Sequence, residues 1–326
     1  MSKSARIILG IDAHAPSAES AALGAFLASN LQGTLELYTP VYNSQVSLLH
    51  FEDRDSLQHA RDTLVRHSQE RLENMAAALP PGAPVTCHAG WDHPAEEALI
   101  RRVLDTEADM LMVALPGAEA HGRRHWSAGH WQLVRHCPVP VLITQGRPWS
   151  AGPVVVAAID PVGRHARHAD LDHRILREAD ALATGLGGVM HAWHAWQPGP
   201  RIAVGGLDQP LEYATAADRG EARHREAVMQ ALSAAGITPA RVALTEGRPE
   251  QALPAYCEEA GADLVVMGAI ARNPFGRIFL GSTAERVLDR LPCDLLVVKP
   301  ETFRTPVSRE RWPRDEAGPL LGVPGI

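Results

Sequence analysis

An internal duplication constrains the fold of this chain more than any other feature. The run ADMLMV that begins at Ala108 returns as ADLVVM at Ala262, and the run EEAL that ends at Leu99 returns as EQAL ending at Leu253. Both pairs of runs are offset by the same 154 residues, so the segment repeats in register. A chain of 326 residues has room for two compact cores. The sequence therefore predicts one domain present twice.

Each copy alternates short apolar runs with longer amphipathic stretches. Runs of this kind are typical of strands that are buried on both faces and joined by helical crossovers. We expect strands in the second copy near residues 154–160, 188–196, 241–245, 264–268 and 295–299. A helix over 219–235 should end at Gly236. The predicted fold class is α/β, with two tandem doubly wound five-stranded parallel sheets.

The repeat sets the predicted domain bounds. The first domain covers residues 1–147 and the second covers 152–300, with a linker rich in Gly and Pro between them. Residues 301–326 are rich in Arg, Glu, Pro and Gly, so we expect a loosely held C-terminal tail. Two like domains in one chain can pair with each other as a pseudo-dimer, which leaves both a monomer and a homodimer open.

Composition excludes several classes of function. The net charge of −7 provides no global field that would attract nucleic acid or an anionic membrane. Lys3 and Lys299 are the only lysines, so Schiff-base and Lys-dependent P-loop chemistry have almost no candidates. The four cysteines are scattered singly, which fits a reducing compartment, and no apolar run is long enough for a membrane span. We expect a cytoplasmic protein.

A loop after the fourth strand of the second copy is suited to phosphate. Gly268 lets the chain turn off the strand, and Gly281-Ser282-Thr283 precedes a predicted helix whose free amides and dipole favour anions. The same three residues would also make an ordinary helix N-cap, so the spacing alone leaves both interpretations open.

At these positions the chain resembles the universal stress protein family. The family motif G-x2-G-x9-G-[S/T] corresponds to Gly268-x2-Ala271-x9-Gly281-Ser282, with alanine in place of the second glycine. Family members that bind ATP place an acid at the end of the first strand, adenine near the third strand and phosphates along the motif. The resemblance therefore implies binding of ATP, with or without Mg²⁺, in the second domain by Asp160, Thr245, Gly268, Arg272, Gly281, Ser282 and Thr283.

The first copy departs from this motif. At the offset of 154, Ala114 replaces Gly268, Ser127 replaces Gly281 and Ala128 replaces Ser282. We therefore expect a degenerate first domain without an ordinary nucleotide site. For Asp160 itself, an Asp-Pro turn is an alternative to a ligand contact.

No set of catalytic residues or metal ligands is predicted. The sequence lacks a G-x-S-x-G elbow, an H-E-x-x-H motif and a Walker lysine, so slow ATP hydrolysis is the most activity we expect. The 16 histidines include His121-x3-His125-x4-His130, but no cysteine or carboxylate lies at a recognised ligand spacing beside them.

The resemblance implies a stress-response regulatory binding protein rather than a metabolic enzyme. Its expected partner is a nucleotide bound by the second domain. Two alternatives remain open at this point. The two domains could hold an amphiphilic metabolite in a cleft between them, or the chain could be an interaction scaffold without a ligand.

Overall fold

Strands and helices alternate along the described part of the chain, as a parallel sheet with helical crossovers requires. The computed structural model describes residues 4–12, 16–48, 54–115, 126–162, 168–197, 213–269 and 290–310. Within them, the elements in chain order are β1 (Arg6–Gly10), α1 (Ala18–Asn30), β2 (Thr34–Val41), α2 (Ser44–Leu48), α3 (Arg54–Ala77), β3 (Val85–Trp91), α4 (Ala95–Thr106), β4 (Met110–Ala114), α5 (Ala128–His136), β5 (Val141–Thr144), β6 (Val154–Ala158), α6 (His168–Gly185), β7 (Val189–Trp196), α7 (Tyr213–Ala235), β8 (Arg241–Glu246), α8 (Pro249–Ala260), β9 (Leu264–Gly268) and β10 (Asp294–Val298).

The described strands form one ten-stranded sheet in the order β3-β2-β1-β4-β5-β10-β9-β6-β7-β8. Each half contributes five parallel strands, which confirms the predicted fold class. The halves meet through β5 and β10, which run antiparallel and place Leu142 opposite Leu296. The two predicted sheets are therefore continuous with each other.

The antiparallel seam fixes how the two halves are oriented. Because β5 and β10 run in opposite directions, the carboxyl ends of the strands lie at opposite edges of the shared sheet in the two halves. Ligands of open parallel sheets bind beyond the carboxyl ends of the strands. A site of this kind in one half therefore faces away from its counterpart in the other half.

Side chains of both halves form two apolar layers, one on each face of the sheet. Alternation along β1 places Ile7 and Leu9 in one layer and Ile8 in the other, and all three are fully buried. Helices α1, α3 and α6 contribute to the first layer, and α4, α5 and α8 contribute to the second. Burying one such aliphatic side chain contributes about 1.5 to 3 kcal/mol, so these layers supply most of the driving force.

Polar contacts reinforce the seam and hold the linker. Asp294, which is 2% exposed, accepts hydrogen bonds from the backbone N–H of Gln145 at 2.7 Å and from Trp149 Nε1 at 2.9 Å. The Ser150 hydroxyl donates to Asp263 at 2.7 Å. The segment that connects the two halves is therefore packed against the second half.

Residues 301–310 differ from the expectation of a loosely held tail. Phe303 and Val307 pack, partly buried, against the second apolar layer. Their apolar side chains provide burial that the polar composition of the whole segment did not suggest. Residues 311–326 lie outside the described part. In the part that the structure describes, no helix is long and apolar enough to cross a bilayer.

Candidate functional site

The strand order reverses direction between β6 and β9, so the second half has a topological switch point there, the position at which open parallel sheets bind ligands beyond the carboxyl ends of their strands. β6 pairs with β7 on one side and with β9 on the other, with Ala158 opposite Met267. Asp160 follows β6, and Gly268 ends β9. Two of the predicted site residues therefore lie at the ends of adjacent strands.

Asp160 is exposed and is connected through its backbone to a buried acid. Its N–H donates to Oδ1 of Asp172 on α6 at 3.1 Å. Asp172 is 5% exposed, and its Oδ2 has no hydrogen-bond partner among the described residues. Burial raises the pKa of Asp172 to about 7, and the charge of Asp160 acts in the same direction, while the hydrogen bond from Asp160 opposes the shift.

Asp172 is a residue that the sequence analysis missed. It lies on the buried side of α6, directly after Leu171 and three residues before Ile175, which are 4% and 2% exposed. An acid inside an apolar helical stripe is the signal that could have identified it. A buried carboxyl with an unsatisfied oxygen requires an explanation, because such a group carries a desolvation cost.

Two stacked histidines lie beside Asp160. His194 on β7 is 2% exposed, and its Nδ1 donates to the carbonyl oxygen of Ile159 at 2.9 Å. In the neutral ring Nε2 is therefore an acceptor, and it lies 2.7 Å from Nδ1 of His224 on α7. Burial, and next the charge of His194, lower the pKa of His224. The hydrogen bond between the two rings joins α7 to the sheet. It forms only while one of the two facing nitrogens carries a proton and the other does not.

Thr245 near the end of β8 contacts the opposite face of β7. Its Oγ1 accepts a hydrogen bond from Trp193 Nε1 at 3.0 Å. Trp193 is 3% exposed and Trp196 is 6% exposed, and they belong to opposite faces of β7. Both tryptophans are therefore core residues. Because β9, β6, β7 and β8 are neighbours, Thr245 and Gly268 are separated by three strand spacings, or about 14 Å.

Gly268 is required by helix packing. A Cβ at this position would lie 2.5 Å from Leu171 Cδ2 and 3.1 Å from Ile175 Cδ1. The backbone of Gly268 is not in the left-handed region, so a positive φ is not the reason for glycine at this position. The close approach of α6 to the end of β9 is the physical reason for this glycine.

The remaining predicted site residues lie outside the described part of the chain. These are Arg272, Gly281, Ser282 and Thr283, together with Ala271. Their roles therefore remain predictions.

In the first half, the corresponding helix corner is closed by its own side chains. Ser127 caps α5 by accepting the N–H of His130 at 3.3 Å, while Nδ1 of His130 accepts the N–H of Ser127 at 3.1 Å. Nε2 of His130 then donates to the carbonyl oxygen of Ala114 at 3.1 Å. Burial lowers the pKa of His130, which favours this neutral form. One of the helix amides that would bind a phosphate is thus already paired.

Histidine and cysteine side chains do not assemble a multidentate metal site in the described ranges. No group of three or more His, Cys, Asp or Glu side chains that could hold a metal ion occurs there. His130 caps α5, and His121 and His125 lie outside those ranges. The four cysteines are free thiols.

Cavities occur both where the two halves meet and within the first half. One has a volume of about 10 Å³ and is lined by both halves, including Trp126 and Cys293, so it has room for about one water molecule. The other measures about 180 Å³ and lies within the first half between Ile11, Thr39 and α3.

Comparison with known proteins identifies the family to which the chain is similar. The model of the universal stress protein family matches residues 4–145 and 155–299. Universal stress protein E of Escherichia coli (strain K12) is 27% identical over 289 residues, which is 87% of this chain and 90% of that protein.

Solved structures show the same fold. A functionally unknown protein from Pseudomonas aeruginosa PAO1 superimposes with a TM-score of 0.64 at 22% identity, covering 91% of this chain and 92% of its own. A universal stress protein from Archaeoglobus fulgidus DSM 4304 gives a TM-score of 0.56 at 19% identity and covers 91% and 99% of the two chains. Because the family model matches both halves, the chain belongs to the universal stress protein family.

Proposed function

We propose that this protein is a stress-response regulatory module that binds an adenine nucleotide, with ATP as the expected ligand, in its second half. The observation that carries the proposal is the adjacency of β6 and β9, which brings Asp160, just after β6, and Gly268, at the end of β9, to the same edge of the sheet. Ligands of doubly wound sheets bind at such a switch point. The segment after Gly268 contains the family-like motif, which supplies Gly281 and Ser282 at the start of a predicted helix.

The dimensions of this edge suit a nucleotide. Thr245 and Gly268 lie about 14 Å apart, and Asp160 lies between them in the strand order. We infer that phosphates bind beside Gly268, Arg272, Gly281, Ser282 and Thr283, and that the base lies toward Thr245. The Thr245 hydroxyl oxygen already accepts a hydrogen bond, but its O–H can donate to a base.

We infer that the first half does not bind the nucleotide. Its helix corner is capped by Ser127 and His130, and Ala114 occupies the position of Gly268. Its carboxyl edge also faces away from that of the second half. We infer one nucleotide site per chain, with the first half supporting the fold and the seam.

A matched pair of substitutions tests the proposal. Ser282→Glu places a negative charge where a phosphate is expected, and Ala128→Glu places the same charge at the equivalent position of the first half. In equilibrium dialysis with ATP and Mg²⁺, Ser282→Glu should weaken binding by about tenfold or more, and Ala128→Glu should leave it unchanged. Equal affinity of both variants and the wild-type protein, or no binding by the wild-type protein, would refute the proposal.

The cavity in the first half favours a second candidate function. Its floor is apolar, with Ile11, Leu72 and Met75, and the exposed Arg71 lies at its rim. A volume of about 180 Å³ admits a ring-sized or short-chain apolar body, so a small amphiphilic anion is the matching ligand class. Titration with octanoate tests this candidate. Met75→Trp should abolish binding, whereas Met229→Trp on the exposed surface should not.

A further inference from the structure

We propose that Lys299 is an acceptor of carbon dioxide, whose side-chain amine forms a carbamate where the end of β10 meets the first half. Carbon dioxide is a small neutral electrophile, and its adduct on an amine is an anion. The inference goes beyond the proposed function, because no nucleotide takes part in it. It rests on the burial of this amine, on the lack of a hydrogen-bond partner for it among the described residues, and on the cation beside it.

The first step concerns where the amine lies. Leu295 and Val297 of β10 belong to the second apolar layer, and alternation along the strand turns Lys299 to the same side. The ring of Phe303, which packs against this layer, lies 5.4 Å from Nζ. Lys299 is 1% exposed, and its Nζ has no hydrogen-bond partner in the part of the chain that the structure describes. A buried ammonium without a partner is costly, so a reaction that removes its positive charge is favoured.

The second step concerns the residue at the equivalent position of the first half. Gln145 precedes Lys299 by the repeat offset of 154 residues. Its Nε2 donates to the carbonyl oxygens of Leu291 and Cys293 at 2.9 and 2.8 Å, so the second half satisfies this amide. Nζ of Lys299 makes no such bond within the described ranges. The repeat therefore places a bonded amide at one position and a chemically available amine at the other.

The third step concerns the charges around the amine. Nη1 of Arg174 donates to the carbonyl oxygen of Lys299 at 2.8 Å, and the charge of Arg174 disfavours a second cation here. Glu178 lies 3.7 Å from Nε of Arg174 and offsets part of that charge. The Cys137 thiol of the first half provides no counter-charge at pH 7, because burial raises its pKa to about 11. An anion on the side chain of Lys299 would replace repulsion from Arg174 by attraction.

The fourth step concerns the reaction itself. Burial lowers the pKa of Lys299 to about 8, so about a tenth of the chains hold a neutral amine at pH 7. The nitrogen lone pair forms a bond to the carbon of CO₂, one C=O π pair moves to oxygen, and the nitrogen releases a proton to water. Amine and CO₂ thus become a carbamate anion and a proton, with no oxidant or reductant. Because CO₂ is uncharged, it enters an apolar layer without the desolvation cost of an ion.

The closing experiment uses ¹³C-labelled CO₂ with the full chain and no nucleotide. The sequence contains one other lysine, Lys3, which provides a comparison within the same chain. A trialkyloxonium reagent fixes the adducts, and digestion with mass spectrometry measures the modified fraction of each lysine at pH 7. Lys299→Arg keeps the cation but removes the amine, and Lys3→Arg is the matched control.

We expect the adduct at Lys299 to exceed that at Lys3 by about tenfold or more, because a lysine with an ordinary pKa is protonated at pH 7. The difference should disappear in guanidinium chloride, where the chain is unfolded. One ¹³C carbamate resonance should be retained in Lys3→Arg and lost in Lys299→Arg. Absence of the adduct at Lys299, or equal adduct at the two lysines of the folded wild-type chain, would overturn the inference, whether or not Lys299→Arg folds.

Discussion

The backbone N–H of Asp160 donates to Oδ1 of Asp172, so the exposed acid at the end of β6 rests on a buried acid from α6. This contact links the candidate site to the core, because Asp172 lies between Leu171 and Ile175 in the apolar stripe of the helix. The carboxyl group of Asp172 therefore affects both the stability of the second half and the charge at the carboxyl end of β6.

The raised pKa of Asp172 predicts a pH-dependent stability. Between its ordinary value of 3.8 and the folded value of about 7, the folded state holds a proton that the unfolded state has lost. The contribution of Asp172 to stability must therefore fall as pH rises through this window. In EDTA at pH 8, Asp172→Asn should be more stable than the wild-type protein, by on the order of 4 kcal/mol at most.

Urea unfolding at pH 5 and pH 8 measures this difference. The gain from Asp172→Asn should be larger at pH 8, and Asp170→Asn should change little at either pH. A gain that is the same at both pH values would show that Asp172 does not titrate in this range.

Substitutions at Gly268 and Leu171 test how closely α6 packs against the end of β9. The Cβ of Gly268→Ala would clash with Leu171, and overpacking of this kind costs about 1 to 3 kcal/mol. The double variant Gly268→Ala/Leu171→Ala removes the clash, so its destabilisation should be smaller than the sum of the two single effects. Thermal unfolding of the three variants measures the coupling. If the destabilisation of the double variant equals the sum of the two single effects, the packing role of Gly268 is contradicted.

Lys299 is a buried amine at the end of β10. It is 1% exposed, Nζ has no hydrogen-bond partner among the described residues, and the ring of Phe303 lies 5.4 Å from it. Burial lowers its pKa to about 8 from 10.5. Between these values the unfolded state binds more protons, so stability rises with pH there and carries the full penalty below pH 8.

Lys299→Met should therefore stabilise the protein at pH 7 by on the order of 3 kcal/mol and by less at pH 9.5. Chemical unfolding at both pH values is the measurement. Arg309→Met, which replaces an exposed cation, serves as the control and should have little effect. Destabilisation by Lys299→Met at pH 7 would mean that the contact of the charged amine with the Phe303 ring outweighs the cost of its burial.

The His194–His224 pair predicts acid sensitivity of α7. The two ring nitrogens are 2.7 Å apart and share one proton, so protonation of both rings breaks the bond. Because the pKa of His224 is lowered, the unfolded state takes up the proton first, and stability must fall as pH drops below about 6.5.

Tryptophan fluorescence reports this change, since Trp196 lies 6.3 Å from the His224 ring. His224→Leu should flatten the dependence of the unfolding temperature between pH 7 and pH 5. The exposed His67 provides the control variant His67→Leu, which should retain the wild-type profile. If the unfolding temperature of His224→Leu keeps the wild-type dependence on pH, the His194–His224 pair is not the origin of the acid sensitivity.

Much of the fold could be predicted from the sequence, because strands buried on both faces are continuous apolar runs. Predicted strand 188–196 is observed as Val189–Trp196, and predicted helix 219–235 ends at Ala235 with Gly236 at a positive φ of 68°. The seam between β5 and β10 could not be predicted, since apolar strands carry no signal for which sheet edges pair.

The candidate site was predictable only in part. Asp160 and Gly268 were predicted because they stand at the ends of predicted strands and match the pattern of the universal stress protein family. Asp172 and His224 were missed, because a polar residue on an amphipathic helix is usually solvated, and only the packing of α6 and α7 brings them to the strand ends.

Isothermal titration of ATP with Mg²⁺ into the full-length protein tests whether the second half holds the single nucleotide site of the chain. We expect one binding event per chain, with the heat lost in Ser282→Glu and retained in Ala128→Glu. Absence of heat together with an unchanged unfolding temperature, or two equivalent sites per chain, would contradict a nucleotide site confined to the second half.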